Sequence, residues 1–535
     1  MNINKYQRSS GFTLLELLIV VGVLAIVGTI VVMILNPSDL FKQGRDAKRM
    51  TDLKAIDTAI RAYKEYGDIL KTSSIVQSDP ANAVIGLVRE NCSGYSNCFT
   101  SLAAWQVAKG GINFGACAQG NLVCANKVAV ARIEGAWSAP DTNELVINGW
   151  TTGPNNYIKI FASSSARHSG KWDDTKYRLE LNKEYGGIIT ILENYATIDG
   201  LQVSNIGLRN NYSTGIEISN IVGTTSITIS NSIIRATAID VAQEYSAGIL
   251  GNTIRASNNT KIYNNIIYGF GAGMLLDGYN ANNAFVYNNT IINNVVVGIE
   301  INGNAQELRL KNNLVQNATT NYLLIHNDGI TEYLSNISSD ATSPNTTFRN
   351  KTVSFFDVIN KDFHLSPSDT AAVGAGTNLS SDTGLAFSND IDGFWRFNIW
   401  DIGADQLQDI YVSLPDINST CSNYSLPVPP SGWSYRCSST STLTKTNGTG
   451  WIPVDFTKIP GNTLSSLPID PNNLSVSGQY YTFVTDGKKW ELTSILESDK
   501  NKGVDKIGGK DGGQYANILE IGSNLTLTPS AVKNR

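Results

Sequence analysis

The chain has 535 residues, enough for two or three domains, a formal net charge of −5 and only 16% charged residues. A mildly acidic chain without long basic runs argues against nucleic acid as its main ligand. Low charge with abundant Gly, Asn, Ser and Thr suits a β-rich extracellular protein better than a cytosolic enzyme. The first predicted element is a short polar leader, residues 1–11, which carries Lys5 and Arg8 and ends in Gly11. Phe12 follows, then Thr13-Leu14-Leu15-Glu16, and from Leu17 to Leu35 there are 19 residues without a charge. At 1.5 Å per residue that run is about 28 Å, close to one bilayer core. An acid in such a segment costs about 2.5–3.5 kcal/mol at the bilayer centre and less near its edge. Glu16 therefore calls for a cationic partner. Cleavage after Gly11 would supply one, the free α-amine of Phe12, one helical turn away. An ordinary secretory signal has its apolar region before the cleavage site, whereas here the leader and glycine come first.

The stretch Gly11-Phe12-Thr13-Leu14-Leu15-Glu16-Leu17-Leu18-Ile19-Val20 resembles the prepilin signal of type IV pilins and type II secretion pseudopilins. That resemblance implies cleavage between Gly11 and Phe12 by a prepilin peptidase and N-methylation of Phe12. It implies a single-pass inner-membrane anchor at 12–35, with the rest of the chain in a filament or at the cell surface. It further implies that Glu16 pairs with the terminal amine of a neighbouring subunit and so sets filament register. Pro37 predicts a kink or brief break. Over 38–67 the helical pattern resumes: Met50, Leu53, Ile56, Ile60 and Tyr63 recur at the spacing of one apolar face. Arg45, Lys48, Arg49, Asp52, Lys54 and Asp57 between them read as a solvated face, and Gly67 as a stop. In the family this half-helix leans on a β-sheet, but none follows directly, and 68–98 reads as a linker.

Repeats dominate what comes next. Thr228-Ile-Ser-Asn231, Ile262-Tyr-Asn-Asn265, Val286-Tyr-Asn-Asn289 and Leu310-Lys-Asn-Asn313 recur, with Gly200 leading the series. The aligned positions 200, 231, 265, 289 and 313 give intervals of 31, 34, 24 and 24. Each unit carries a second strand phrase, as in Thr214-Gly-Ile-Glu-Ile218 and Val297-Gly-Ile-Glu-Ile301. Short strands in rungs of about 24 residues predict a parallel β-solenoid. A β-sandwich could use the same strand density but rarely repeats a phrase at fixed period. Asn tolerates the left-handed turn, and stacked turns let each side-chain amide bond the next. At the edges, Asn148-Gly-Trp150, Arg167-His168 and Lys176-Tyr-Arg-Leu179 resemble the opening of bacterial right-handed parallel β-helix surface proteins, a pectate-lyase-like fold. Asp362-Phe-His364, Asp390-Ile-Asp-Gly393 and Asp401-Ile-Gly-Ala-Asp405 resemble their closing signature. The β-helix is assigned to 99–406.

Residues 407–535 contain Tyr480-Tyr-Thr-Phe-Val-Thr485 and Trp490-Glu-Leu-Thr-Ser-Ile495, which read as a hairpin around Asp486-Gly487. The stretch resembles the globular part of small pilins and pseudopilins. The expected fold is thus mainly β: an N-terminal membrane-spanning pilin helix, a right-handed parallel β-helix, and a small C-terminal pilin-like sheet, with the β-helix inserted between helix and sheet. Six cysteines fall into local pairs, Cys92/Cys98, Cys117/Cys124 and Cys421/Cys437. An even count, short separations and an exported location favour disulfides, with free buried thiols as the alternative; no histidines cluster nearby to suggest zinc.

Chemistry is less legible. Asp240, Asp277 and Glu300 sit in or after strand phrases and are candidates for a glycan-facing line of acids, against the plainer reading of acids that end strands. Lyases need calcium-binding acids beside an Arg or Lys base and hydrolases need paired carboxylates; no such cluster is visible, and no catalytic residue is assigned. His168 and His364 lie in the fold-marking phrases and read as structural. No cofactor is called for except calcium: some pseudopilins hold it in a C-terminal loop, which makes Asp499, Asp505 and Asp511 candidate ligands. The interleaved Lys500, Lys502, Lys506 and Lys510 favour a solvated loop instead. The functional expectation is a non-enzymatic minor pilin or pseudopilin that displays its β-helix for adhesion or glycan binding. A filament- or membrane-tethered polysaccharide lyase or hydrolase, and a secretion pseudopilin contacting cargo, are the alternatives. Expected partners are prepilin peptidase, other pilin subunits, the inner membrane and a surface ligand.

Overall fold

The computed structural model describes residues 13–35, 37–66, 80–207, 212–219, 225–237, 246–252, 256–277, 281–302, 307–325, 330–394, 396, 400–418, 420–459, 461, 464–485 and 489–533. Gly11, Phe12, Asn36, Gly67, Asp240 and the turn Asp486-Gly487 lie outside them. Two compact units emerge. One holds the described residues of Met1–Leu70, Asp409–Pro429 and Tyr435–Arg535; the other holds those of Lys71–Gln408 and Pro430–Ser434.

The larger unit is a coil of parallel strands. Successive strands visit three sheets in rotation. Tyr195–Asp199, Gln202–Asn205 and Tyr212–Ser219 make one rung, Thr225–Ser230, Ile233–Ala236 and Ala247–Asn252 the next. Among the described residues the three sheets have ten, seven and seven strands. The register stacks like on like. Ile160, Ile198, Ile229, Ile262, Val286 and Leu310 form one buried column. Ile216, Ile249, Met274, Ile299 and Tyr322 form a second, and Val203, Ile234, Ile267, Ile291 and Val315 a third. β-Branched side chains fill such columns because they pack well on a pleated surface.

The repeat phrase is shifted by one residue relative to its reading from sequence. Ile233 pairs with Ile266, so Asn264, not Asn265, is the counterpart of Asn231. The first asparagine of each pair takes the left-handed turn: φ is 52° at Asn231, 55° at Asn264, 51° at Asn288 and 56° at Asn312. The second forms the buried ladder. Nδ2 of Asn265, Asn289 and Asn313 each donates to Oδ1 of the next asparagine at 3.0 Å, and Asn336 continues the ladder to Asn345 at 2.9 Å. Two chemical demands, a left-handed backbone and a buried amide stack, thus fall on adjacent positions, which is why a single aligned asparagine fits the sequence only approximately.

The stretch expected to be a linker, 68–98, contains a strand. Ala83–Val88 pairs in parallel with Val128–Ile133 from Ala83↔Val128 to Val88↔Ile133, and also with Cys98–Phe99. Its Val84, Ile85 and Val88 supply the β-branched character, and Gly86 makes room for Trp105, whose ring lies 2.5 Å from where a Cβ would stand.

In the smaller unit, α1 spans Leu14–Leu35 and α2 Pro37–Tyr66. Proline opens α2, the one helical position where its missing N–H costs nothing. Apolar side chains of α1 from Leu14 to Ile30 are exposed. Side chains of α1 are described as far as Ile30, and among the described residues no helix is long and apolar enough to cross a membrane. A five-stranded sheet runs in the order Trp433–Ser438, Gln408–Pro415, Thr482–Thr485, Trp490–Ile495, Ile518–Gly522. Thr482–Thr485 and Trp490–Ile495 pair antiparallel, Thr485 opposite Trp490.

Leu53, Ile56, Ala59 and Ile60 of α2 share one core with Trp451, Phe456, Tyr481, Phe483, Trp490, Leu492 and Leu496, with Met50 and Tyr63 packed at its margin. Of the charges expected to form a solvated face, Lys48 and Lys54 are exposed, but Arg49, Asp52 and Asp57 are not. Arg49 is fully buried, and Asp46, Asp52 and Asp57 are buried too. Tyr481 donates to Asp52 at 2.9 Å and Trp490 Nε1 to Asp57 at 2.9 Å. Helical periodicity locates the apolar stripe but is blind to polar groups on the facing sheet that draw the stripe's charged borders inward. Disulfides join Cys92–Cys98, Cys117–Cys124 and Cys421–Cys437, leaving no free cysteine.

Candidate functional site

Thr13 and Glu16 seal the first turn of α1. The Glu16 carboxylate accepts from the Thr13 backbone N–H and hydroxyl, both at 2.9 Å, and the Thr13 hydroxyl accepts from the Glu16 N–H at 3.3 Å. This is a reciprocal capping box, a role that the sequence pattern Thr-x-x-Glu signals. The scissile position Gly11–Phe12 lies outside the described residues.

Of the three acids expected to line a glycan-facing surface, only Glu300 has a described side chain. Asp240 lies outside the described residues, as does the side chain of Asp277. By register, Glu300 follows Glu217, Leu250 and Leu275 in one column and precedes Leu323. Asp277 shares the neighbouring column with Ser219, Asn252, Asn302 and Ile325. Neither column contains an Arg or Lys that could serve a lyase as base. The acids of the C-terminal loop are apart. Asp511 is spent on the backbone N–H groups of Gly513 and Glu520, Asp499 and Asp505 are exposed, and no metal-sized group forms there among the described residues. Spacing in a loop cannot say whether its carboxylates converge, and here they do not.

A group does converge where the closing phrases meet. Asp362–Leu365 is a short strand paired with Phe355–Asp357. Asp390 opens a tight turn, its Oδ1 accepting from the N–H groups of Asp392 and Phe394, with Gly393 at φ 88°. Arg396 is buried and donates to the carbonyls of Asp401, Gly403 and Ala404. The left-handed asparagines of the rungs grip this segment from below: Asn264 donates to the Asn389 carbonyl at 2.6 Å, Asn288 to Gly403 at 3.1 Å and Asn312 to Thr377 at 2.8 Å.

His364 stands at the centre. Its Nδ1 lies 2.5 Å from Asp362 Oδ1 and its Nε2 3.0 Å from Asp392 Oδ2. Asp405 Oδ2 accepts the Leu365 N–H at 2.7 Å. One ligand atom each from His364, Asp392 and Asp405 can be chosen within 4.8 Å of one another. Burial works against the charged form of His364, but Asp392 and Asp362 together raise it well above the usual imidazole range. Burial pushes Asp405 up to about 6 and, with Asp392 and Asp405 adding repulsion, holds Asp390 well above the carboxylate range. Ser431 Oγ lies 3.2 Å from His364 Nδ1. This is not a nucleophile–base pair: Ser431 and Asp362 compete for one ring nitrogen, whereas catalysis needs them on opposite sides. His168 is the contrasting histidine. It is buried, its Nε2 donates to the Asn231 carbonyl at 3.0 Å and its Nδ1 accepts from the Gly170 N–H. Burial, and then Arg167, lower it to about 3. Each histidine's own phrase reads as structural, and no single phrase shows that three acid-rich phrases up to 43 positions apart (362 to 405) close on His364.

Fold and terminus define the class: a parallel β-helix carried on a chain with a prepilin-type N-terminus. Residues 6–32 match the family described as the prokaryotic N-terminal methylation motif. No curated protein matches the chain. Among solved structures, one titled "Crystal structure of pectate lyase Pel9A" is similar at 15% sequence identity, covering 62% of this chain and 98% of its own, with a TM-score of 0.29.

Proposed function

We propose that the protein is a minor pilin or pseudopilin, processed after Gly11 and methylated on Phe12, which carries its β-helix outward for adhesion or glycan binding. The match over residues 6–32 carries this reading. The helices support it. The exposed apolar surface of α1, with Glu16 its one charge, needs a cover, first lipid and then neighbouring subunits' helices. In this reading the uncharged run from Leu17 to Leu35, about 28 Å if helical throughout, is the segment that enters the bilayer. α2 then enters a core shared with the C-terminal sheet, the helix-on-sheet arrangement that a filament subunit requires.

In this reading the β-helix is the inserted, displayed part. Its bulk favours a tip or low-copy position over every place in a packed fibre. Cells expressing the chain should release it, at low copy number, with filaments sheared from the surface. Recovery exclusively as free soluble protein, with filaments present and lacking it, would contradict the proposal.

A further inference from the structure

We propose that His364, Asp392 and Asp405 form a binding site for one divalent first-row transition ion, with zinc, manganese and cobalt as the chemical class. Three observations point there. First, both acids present an unanswered oxygen: Asp392 Oδ1 and Asp405 Oδ1 are buried without a hydrogen-bond partner. Asp405 is 2% exposed and the Asp392 side chain 7%, and unpaired buried carboxylate oxygens are costly. Second, Asp362 holds His364 from behind at 2.5 Å. A carboxylate on Nδ1 fixes the tautomer that leaves the Nε2 lone pair facing Asp392, the arrangement that orients metal-ligating histidines. Third, the backbone leaves the ligand atoms uncovered. A Cβ on Gly170 would stand 2.4 Å from both His364 Nε2 and Asp392 Oδ1, and Gly170 is held at φ 69°.

Charge agrees. Asp362, Asp390, Asp392, Asp401 and Asp405 crowd this corner. Arg396 is the buried cation among these five acids, its Nη groups bound to carbonyl oxygens, and Lys171 reaches Asp362 only at 3.5 Å. A protonated His364 would answer Asp362 and Asp392 Oδ2, yet leave both orphaned oxygens unmet. An ion bound by Nε2 and the two carboxylates answers all of them. The imidazole selects against calcium and magnesium, which take oxygen ligands. The site would pin three chain segments of the closing signature with one bond set.

The test uses the full chain in detergent, stripped with chelator and titrated with Co²⁺ alone, with Zn²⁺ followed by elemental analysis. One ion per chain is expected, with cobalt absorption bands of a nitrogen- and oxygen-ligated site and a raised melting temperature. Asp405→Asn should abolish binding, and Asp362→Asn, which touches no ion, should weaken it about 10–100-fold. Asp505→Asn, in the C-terminal loop, should bind normally. Wild-type protein that takes up no ion at millimolar Co²⁺ or Zn²⁺ overturns the proposal, whether or not the variants fold. So does an ion retained by Asp405→Asn or lost from Asp505→Asn.

Discussion

Arg49 and Asp470, 421 positions apart in sequence, meet in a fully buried bidentate pair, Nε to Oδ2 at 2.6 Å and Nη2 to Oδ1 at 2.9 Å. Asp46 and Glu497 complete the guanidinium's shell at 3.0 and 2.5 Å. Asp46 in turn accepts from the backbone N–H groups of Glu497 and Ser498. The N-terminal helix α2 and the C-terminal sheet are therefore locked by charge as well as by apolar contact, and neither side can keep its polar groups satisfied without the other.

Truncating this pair has a predictable cost. Arg49→Ala leaves Asp470 and Asp46 buried without their cation, and breaking such a pair costs about 3–5 kcal/mol. Because two units unfold in one chain, a single melting curve is a poor measure. Hydrogen exchange is sharper. Amides of Trp490–Ile495 should exchange far faster in Arg49→Ala, while those of Ile262 and Val286 in the β-helix stay protected. Unchanged protection at Trp490–Ile495 would show that α2 contributes little to the sheet.

The buried amide ladder gives a second test. Asn289 Nδ2 donates to the carbonyls of Ile262 and Tyr287 as well as to Asn313, and its Oδ1 accepts from Asn265. Asn289→Leu strands several buried groups, each worth about 1–3 kcal/mol, so a loss of at least about 3 kcal/mol is expected in urea unfolding of the β-helix. Thr319→Ala, which removes one exposed bond to Val295, should stay within about 0.5 kcal/mol.

His168 predicts an acid sensitivity. Its folded value of about 3 lies below the ordinary imidazole value of 6.5, so between those two the unfolded chain binds the extra proton. Stability then rises with pH across that window and falls on acidification. Moving from pH 7 to pH 4 should cost roughly 3 kcal/mol through this group. Measured with chelator present, His168→Gln, whose amide can also donate to Asn231 and accept from Gly170, should flatten that slope. An unchanged slope would place the acid sensitivity elsewhere.

Much of the fold was legible because it repeats. Columns such as Ile198, Ile229, Ile262 and Val286 impose a period that survives any single substitution, and Ala272-Gly-Met-Leu-Leu276 marks its own strand. The one-residue slip at Asn265 arose because turn and ladder each want asparagine. Ala83–Val88 was missed because it precedes the repeat and its partner, Val128–Ile133, is distant in sequence. The buried charges of α2 depend on Asp470 and Glu497, which no local window contains. The His364 group was hidden for the same reason: its ligand atoms come from three phrases, each of which reads as structural alone.

Glu16 caps α1 and, in the proposed reading, also pairs with a neighbouring subunit's α-amine; substitution can separate the two. As a capping-box residue it needs only an acceptor oxygen, which Glu16→Gln keeps; as the partner of a neighbouring α-amine it needs its charge. Glu16→Gln and Glu16→Ala should both insert into membranes and both fail to enter filaments, as judged by the sheared fraction. Normal incorporation of Glu16→Gln would assign Glu16 to helix capping alone.

The most direct measurement is the N-terminal mass of the chain extracted from membranes of cells that make filaments. The account predicts a mature chain that begins at Phe12 and carries one added methyl group on its α-amine. A chain that begins at Met1, or one cut beyond Leu35, would contradict it.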